Sequence, residues 1–382
     1  MKILCAPDSF KDCLPAHKVA TAMQRGIHRV LPEALVDCCP VADGGEGTAE
    51  VIATASAAAR RTLSVIGPTG QSVDADFFLI ESQRLAVLDM ASAAGLMLVP
   101  QAQRDAMKAT TFGVGELLLA ARASGARRLI VGVGGSAGND GGCGMAQALG
   151  VRFINSAGHE MRSPIGGADL QSIASIDVRG SGNAMRDLEI AVACDVDNPL
   201  TGSNGAAHVY AAQKGATAKQ IGLLDAGLVN LARIVRRDLG IEIENLPRAG
   251  AAGGLAAGLL AFVGAKLQSG IDLVLDIIDF DRRVTDCDLC LTGEGRLDSQ
   301  SLSGKACLGV ARRAARFGVP TYALVGSTGN GAENALQHGL SGYELIGQGL
   351  SVADSLRRAE ELLAECAARV VLRRAETGRR FP

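Results

Sequence analysis

The chain has 382 residues, 48% of them apolar and 20% charged, with a net charge of -2; this fits two globular domains and gives no global attraction to polyanions. It has no tryptophan and 3 tyrosines, so the sequence is poor in aromatic platforms for stacking nucleic-acid bases, and any affinity for phosphate has to be local.

Met1 to Asp8 goes straight into a strand pattern, without the basic and apolar segments of a leader, so the expected location is cytoplasmic. The strand Ile3–Ala6 ends in Pro7-Asp8-Ser9-Phe10-Lys11, and a helix follows from Pro15 to Leu31. A second strand, 34–41, ends in Ala42-Asp43-Gly44-Gly45-Glu46-Gly47-Thr48 before a helix over 48–59. Strand and helix alternating through short connections predict a parallel sheet with helices on its faces. Ligands of such sheets bind beyond the carboxyl ends of the strands, where Asp8 and Asp43 fall.

From Thr62 to Ala93 the pattern becomes three strands, 62–66, 72–80 and 84–90, with turns and no helix between them. Such strands are more naturally antiparallel, which puts a domain boundary near residues 66 to 75. A helix over 111–124 and a strand over 128–131 then lead into Gly132-Val133-Gly134-Gly135-Ser136-Ala137-Gly138-Asn139-Asp140-Gly141-Gly142. Glycines at that density allow positive φ and close approach to a ligand, and the exposed N–H groups can cradle an anion. Further on come a strand over 188–193 running into Cys194-Asp195-Val196-Asp197-Asn198-Pro199, and helices over 218–239 and 253–267. The last of these lies in the most apolar stretch, 249–267, which five glycines and Lys266 mark as a buried helix rather than a membrane span.

Alternation returns after Asp281. The strand 287–291 ends in Thr292-Gly293-Glu294-Gly295-Arg296-Leu297-Asp298, a helix runs over 303–317, strands lie at 320–325 and 343–346, and a long helix spans 352–374. The expected organisation is a parallel-sheet domain made by both termini, residues 1–70 and 285–382, with residues 71–284 inserted as a mixed-sheet α/β domain and the active site in the cleft between them. Arg373, Arg374, Arg379 and Arg380 read as a solvated tail. The 10 cysteines read as reduced and mostly buried thiols, because Cys287 and Cys290 form the single C-x-x-C and no second pair or histidine cluster completes a zinc site. The histidines share no motif.

Acidic residues mixed with glycine, asparagine or lysine after strands are what an enzyme needs to hold a polyanion and a divalent cation together, and this reads as phosphoryl transfer. Familiar nucleotide motifs fail. Gly304-Lys305 is followed by Ala306 and lacks the first P-loop glycine. The loose G-x-G-x-x-A at Gly132 has no suitable acidic residue about twenty positions on, which leaves a nicotinamide dehydrogenase a weak rival.

Five blocks, taken together and in this order, resemble the class I, bacterial-type glycerate kinases: Ala6 to Lys11, Val41 to Thr48, Gly134 to Gly142, Cys194 to Leu200, and Thr292 to Gln300 with Gly304-Lys305. The resemblance covers essentially the whole chain, with Cys13 and Cys194 as departures. It implies an ATP- and Mg²⁺-dependent kinase of D-glycerate, usually giving 2-phosphoglycerate. It also implies a flavodoxin-like (Rossmann-like) domain with an inserted domain similar to restriction endonucleases. A kinase giving 3-phosphoglycerate or acting on another small hydroxy acid is the alternative, and a non-catalytic glycerate or nucleotide sensor is the rival of another class. No nucleic-acid or membrane partner is expected, and a homo-oligomer is compatible with the sequence.

Roles follow from residue chemistry. Asp195 and Asp298 are expected to bind Mg²⁺ or take the hydroxyl proton, with Lys11 and Asp43 also catalytic. Substrate and phosphate contacts are assigned to Asp8, Ser9, Gly44, Gly45, Glu46, Gly134, Gly135, Ser136, Asn139, Asp140, Glu294, Gly295, Arg296 and Lys305. The alternatives are helix capping for Asp43, Glu46, Asn139 and Asp140, and an ion pair of Arg296 with Asp298 or Glu294.

Overall fold

The structure, a computed structural model, describes residues 1–11, 13–181, 185, 187–299 and 305–377; Gln300, Ser303, Gly304, Arg379 and Arg380 lie outside the described residues. The strands are β1 (Lys2–Cys5), β2 (Leu35–Cys38), β3 (Ala59–Ile66), β4 (Ser72–Ile80), β5 (Leu85–Asp89), β6 (Arg128–Gly132), β7 (Arg152–Asn155), β8 (Ile173–Asp177), β9 (Glu189–Cys194), β10 (Lys266–Ser269), β11 (Leu289–Leu297), β12 (Thr321–Thr328) and β13 (Gly342–Leu345). The chain divides into two compact units, Met1–Asp43 with Ile271–Pro382, and Gly44–Gly270.

In the unit made by both termini, the strands lie in the order β13-β12-β11-β1-β2, and every pairing is parallel. Numbered within that unit this is the flavodoxin order 2-1-3-4-5, whose switch point lies between β1 and β11. Ile3 stands opposite both Val36 and Leu289 there. Val19, Met23 and Ile27, four residues apart, place one apolar stripe of the helix Ala16–Val30 in a core with Leu289, Leu324, Leu363 and Val370. Full burial of Met23 and Ile27 is worth about 1.5–3 kcal/mol each.

The inserted unit carries a mixed sheet, β10-β9-β6-β5-β4-β3. The pairs β3/β4 and β4/β5 are antiparallel, and the remaining pairs are parallel. Its boundaries differ from 71 and 284. The segment after Asp43 belongs here because β3 pairs with β4 along its whole length, from Ala59 opposite Leu79 to Ile66 opposite Ser72. At the other end, Arg313 Nε donates to Asp281 Oδ1 at 2.6 Å and its guanidinium pairs with Asp276, which ties residues 276–281 to the terminal unit.

Other elements also differ from expectation. The helix placed at 253–267 is Leu255–Val263; Gly264 ends it with φ 69°, and the chain continues as β10 beside β9. The hairpin β7/β8 was not anticipated. The strand placed at 287–291 begins at Leu289 and runs on to Leu297, because Arg296 and Leu297 pair with Ser327 and Thr328. The long C-terminal helix is two, Val352–Arg357 and Ala359–Thr377, and Arg373, exposed as expected, pairs with Glu344. All 10 cysteines are free.

Candidate active-site loops

In the terminal unit, the functional candidates gather at the β1/β11 switch point. The Asp8 N–H donates to Gly293 O at 2.9 Å and the Val41 N–H to Pro7 O at 2.9 Å, so backbone bonds stitch the ends of these strands together. Asp8 Oδ1 accepts the Ser9 N–H at 2.6 Å. Burial, reinforced by Asp43 and then Glu294, holds the Asp8 carboxyl well above the usual carboxylate range, against the pull of that N–H. Asp43 and Glu294 therefore both act on Asp8. An added Cβ on Gly295 would come 3.7 Å from Lys11 N, which places the exposed Lys11 beside this edge.

Farther along β11, Arg296 Nε pairs with Asp298 Oδ2 at 3.0 Å, the ion pair weighed as the alternative to function. Lys305 is the residue preceding the helix Ala306–Ala315.

In the inserted unit, two glycine loops lie against each other. A Cβ on Gly134 would stand 2.6 Å from Gly45 Cα and 2.9 Å from Glu46 N, so no larger residue allows this approach. Thr48 closes the first loop: its Oγ1 accepts the Gly44 N–H at 3.1 Å and donates to Gly45 O at 2.8 Å. A Cβ on Gly135 would be 3.3 Å from Glu46 Oε2, which brings Glu46 over the second loop. The first loop is anchored by Asp89, at the end of β5. Its carboxylate accepts the N–H groups of Gly47 at 2.9 Å and Ala49 at 3.2 Å, and it lies so close to Gly132 that a Cβ there would be 2.4 Å from Oδ1. A small part of the residue reaches the surface, but its carboxyl is enclosed, and burial pushes its pKa up to about 7.

The rest of the second loop is organised around Asp140, which is fully buried. Its oxygens accept from Thr111 N at 2.8 Å, Thr111 Oγ1 at 2.7 Å, Gly142 N at 3.0 Å and Gly144 N at 3.1 Å. The carboxylate assigned to substrate is thus engaged by internal donors, and burial raises its pKa despite them. Asn139, also fully buried, has neither amide atom hydrogen-bonded. Lys214 reaches the same loop from the turn Ala212–Lys214. Only 2% exposed, it donates to Ser136 Oγ at 2.7 Å and Gly138 O at 2.6 Å. A cavity of about 290 Å³ opens beside the loop at Ala137, with Leu96, Val99, Arg104 and Lys108 among its walls.

At the end of β9, Asp195 acts on Tyr210, whose pKa burial, reinforced by Asp195, pushes up to about 12. Tyr210 donates to Asn198 Oδ1 at 2.6 Å, and Asp197 pairs with Arg248 at 3.3 Å. Among the described residues, no group of three His, Cys, Asp or Glu is arranged to hold a metal ion. No helix among them is long and apolar enough to cross a membrane.

Residues 3–374 match the model of the glycerate kinase family. A glycerate kinase of Halalkalibacterium halodurans is 43% identical over 371 residues, covering 97% of each chain. A protein named glycerate 2-kinase in Escherichia coli K12 is 43% identical over 340 residues, covering 89% of each. The chain belongs to the glycerate kinase family. A Salmonella typhimurium LT2 crystal structure described as a glycerate kinase 2 superposes with a TM-score of 0.85 at 41% identity, covering 99% of both chains.

Within this kinase, two residues escaped the sequence reading. Asp89 closes an ordinary apolar strand, and its signal was an acidic residue at a parallel strand's carboxyl end. Lys214 looks like any surface lysine, and the hint was its place before Gly215 in the small-residue run 205–216.

Proposed function

We propose that this kinase transfers the γ-phosphate of ATP to the 2-hydroxyl of D-glycerate, giving 2-phospho-D-glycerate, with Mg²⁺ as cofactor. The observation that carries the choice of oxygen is the 43% identity over 89% of the chain to the E. coli protein named glycerate 2-kinase. The site chemistry supports phosphoryl transfer: an acidic group at one switch point, and an anion-holding glycine loop with a buried lysine.

Asp8, Asp43 and Glu294 fit a divalent cation in kind, being hard oxygen donors of which the last two raise the proton affinity of Asp8. Mg²⁺ characteristically uses one or two carboxylates plus substrate phosphates, so a closed protein cage is not required. When bound, Mg²⁺ supplies positive charge to the phosphate oxygens. Lys11 adds a cation at the same edge for phosphate or the glycerate carboxylate. Asp8, whose proton affinity is raised, is suited to take the hydroxyl proton as the oxygen attacks phosphorus in line. In the inserted unit, the 134–139 loop offers backbone N–H groups and Ser136 to an anionic oxygen.

The test is phosphorus-31 NMR of the purified protein with Mg-ATP and D-glycerate, with a control lacking acceptor. A signal matching authentic 2-phosphoglycerate is expected. A 3-phosphoglycerate signal would overturn the choice of oxygen, and silence with D- and L-glycerate would overturn the substrate.

A further inference from the structure

A lysine is rarely buried without a compensating partner, because desolvating an ammonium is costly. Lys214 is 2% exposed, and its two hydrogen bonds go to a hydroxyl and a carbonyl of the glycine loop, not to a carboxylate. The carboxylate acting on it, Asp140, is occupied by Thr111, Gly142 and Gly144. The segment packed against its turn carries Arg104, since a Cβ on Gly215 would stand 2.4 Å from Arg104 O. A structural pin would be cheaper as a neutral donor. Asn139, buried in the same loop with both amide atoms unbonded, is a second, independent sign of polar groups arranged for something that binds.

We infer that Lys214 is the positioning residue of this loop: by donating to Ser136 Oγ, its ammonium turns the Ser136 hydroxyl proton outward, toward an anionic oxygen of the bound substrate. The inference rests on the kinase reading. An ammonium has donors alone, so the serine oxygen accepts from it and the serine O–H must donate elsewhere. Once Lys214 loses its proton, the amine can accept from Ser136, and the hydroxyl turns inward. Burial pulls the Lys214 pKa down to about 7, so this exchange falls within the working range of an enzyme. The anionic oxygen can be a donor phosphate or the glycerate carboxylate, and the two substrates' KM values tell them apart.

The experiment measures kcat and both KM values from pH 6.5 to 8.5 for wild type, Lys214→Met, Ser136→Ala and the double variant, with folding checked by circular dichroism. For wild type, the KM of one substrate should rise about twentyfold across that range, following loss of one proton near pH 7. Ser136→Ala should have a raised, pH-independent KM for that substrate, and the double variant should be no worse than either single one. The inference is overturned if Ser136→Ala keeps the wild-type pH profile, or if folded Lys214→Met keeps the wild-type KM. Should Lys214→Met fail to fold, the Ser136→Ala profile decides. A wild type that forms no phosphoglycerate sinks the kinase reading instead; calorimetric binding of ATP and of D-glycerate over the same pH range then tests the loop by the same criteria.

Discussion

Asp89→Asn isolates the cost of the carboxyl group that anchors the glycine loop before the helix Thr48–Ser56. The Asp89 pKa goes from an ordinary 3.8 to about 7 in the folded protein, so between these values the folded state holds the proton more tightly than the unfolded one. Its contribution to stability is therefore full below about pH 4 and is lost as pH rises through 7. Linkage gives a loss of about 2.5 kcal/mol between pH 5 and pH 7.5 from this group alone. Asparagine does not titrate, but its amide can accept only one of the two N–H groups of Gly47 and Ala49 well, a cost of about 1–3 kcal/mol at every pH. The variant should thus be less stable than wild type at pH 5 and draw level with it or overtake it by pH 7.5. The assay is urea unfolding across this range by far-UV circular dichroism, tryptophan being absent. A stability difference that stays constant within about 0.5 kcal/mol from pH 5 to 7.5 would refute the reasoning.

Asp140→Ala strands four donors inside the protein and should cost about 3–5 kcal/mol, read as a lowered urea midpoint. Gly134→Ala drives a methyl into Gly45 and should cost about 1–3 kcal/mol, with a larger proportional loss of kcat/KM than of stability. Asp8→Asn should lower kcat by about two orders of magnitude or more with a native dichroism spectrum; near-normal turnover would remove Asp8 as the proton acceptor. Asp298→Asn is expected to reduce turnover similarly, and an unchanged kcat would leave Asp298 as the ion-pair partner of Arg296.

Much of the architecture was legible because short apolar strands followed by helices leave a repeating trace. The carboxyl edge of the terminal sheet near β1 and β2 could be found from Asp8 and Asp43, since charges soon after apolar runs mark the edge of a parallel sheet. Where sequence reading failed, two physical effects competed. The apolar run through Gly264 keeps its composition while the backbone changes hand, so a helix and a strand looked like one element. The pairing of β11 with β12 carried the strand through glycines and charges that have little strand preference by themselves. For the candidate site, the glycine blocks announced themselves, but partners distant in sequence did not. Nothing near Asp140 predicts that Thr111 will take up one of its oxygens, and nothing near Lys214 predicts that it will be buried against Ser136.

The pairing of Ile3 with Leu289 sets a schedule for synthesis. One edge of β1 meets β2 within the first 38 residues, yet the other waits for a strand that leaves the ribosome after the whole inserted unit. At about 5–20 residues per second, that wait is on the order of 15 to 60 s. By its end the inserted unit has all its own strands and can fold, while the first strand pair keeps an open backbone edge throughout. Chaperone demand and aggregation of the nascent chain should therefore centre on the N-terminal strands, where an unpaired edge persists longest.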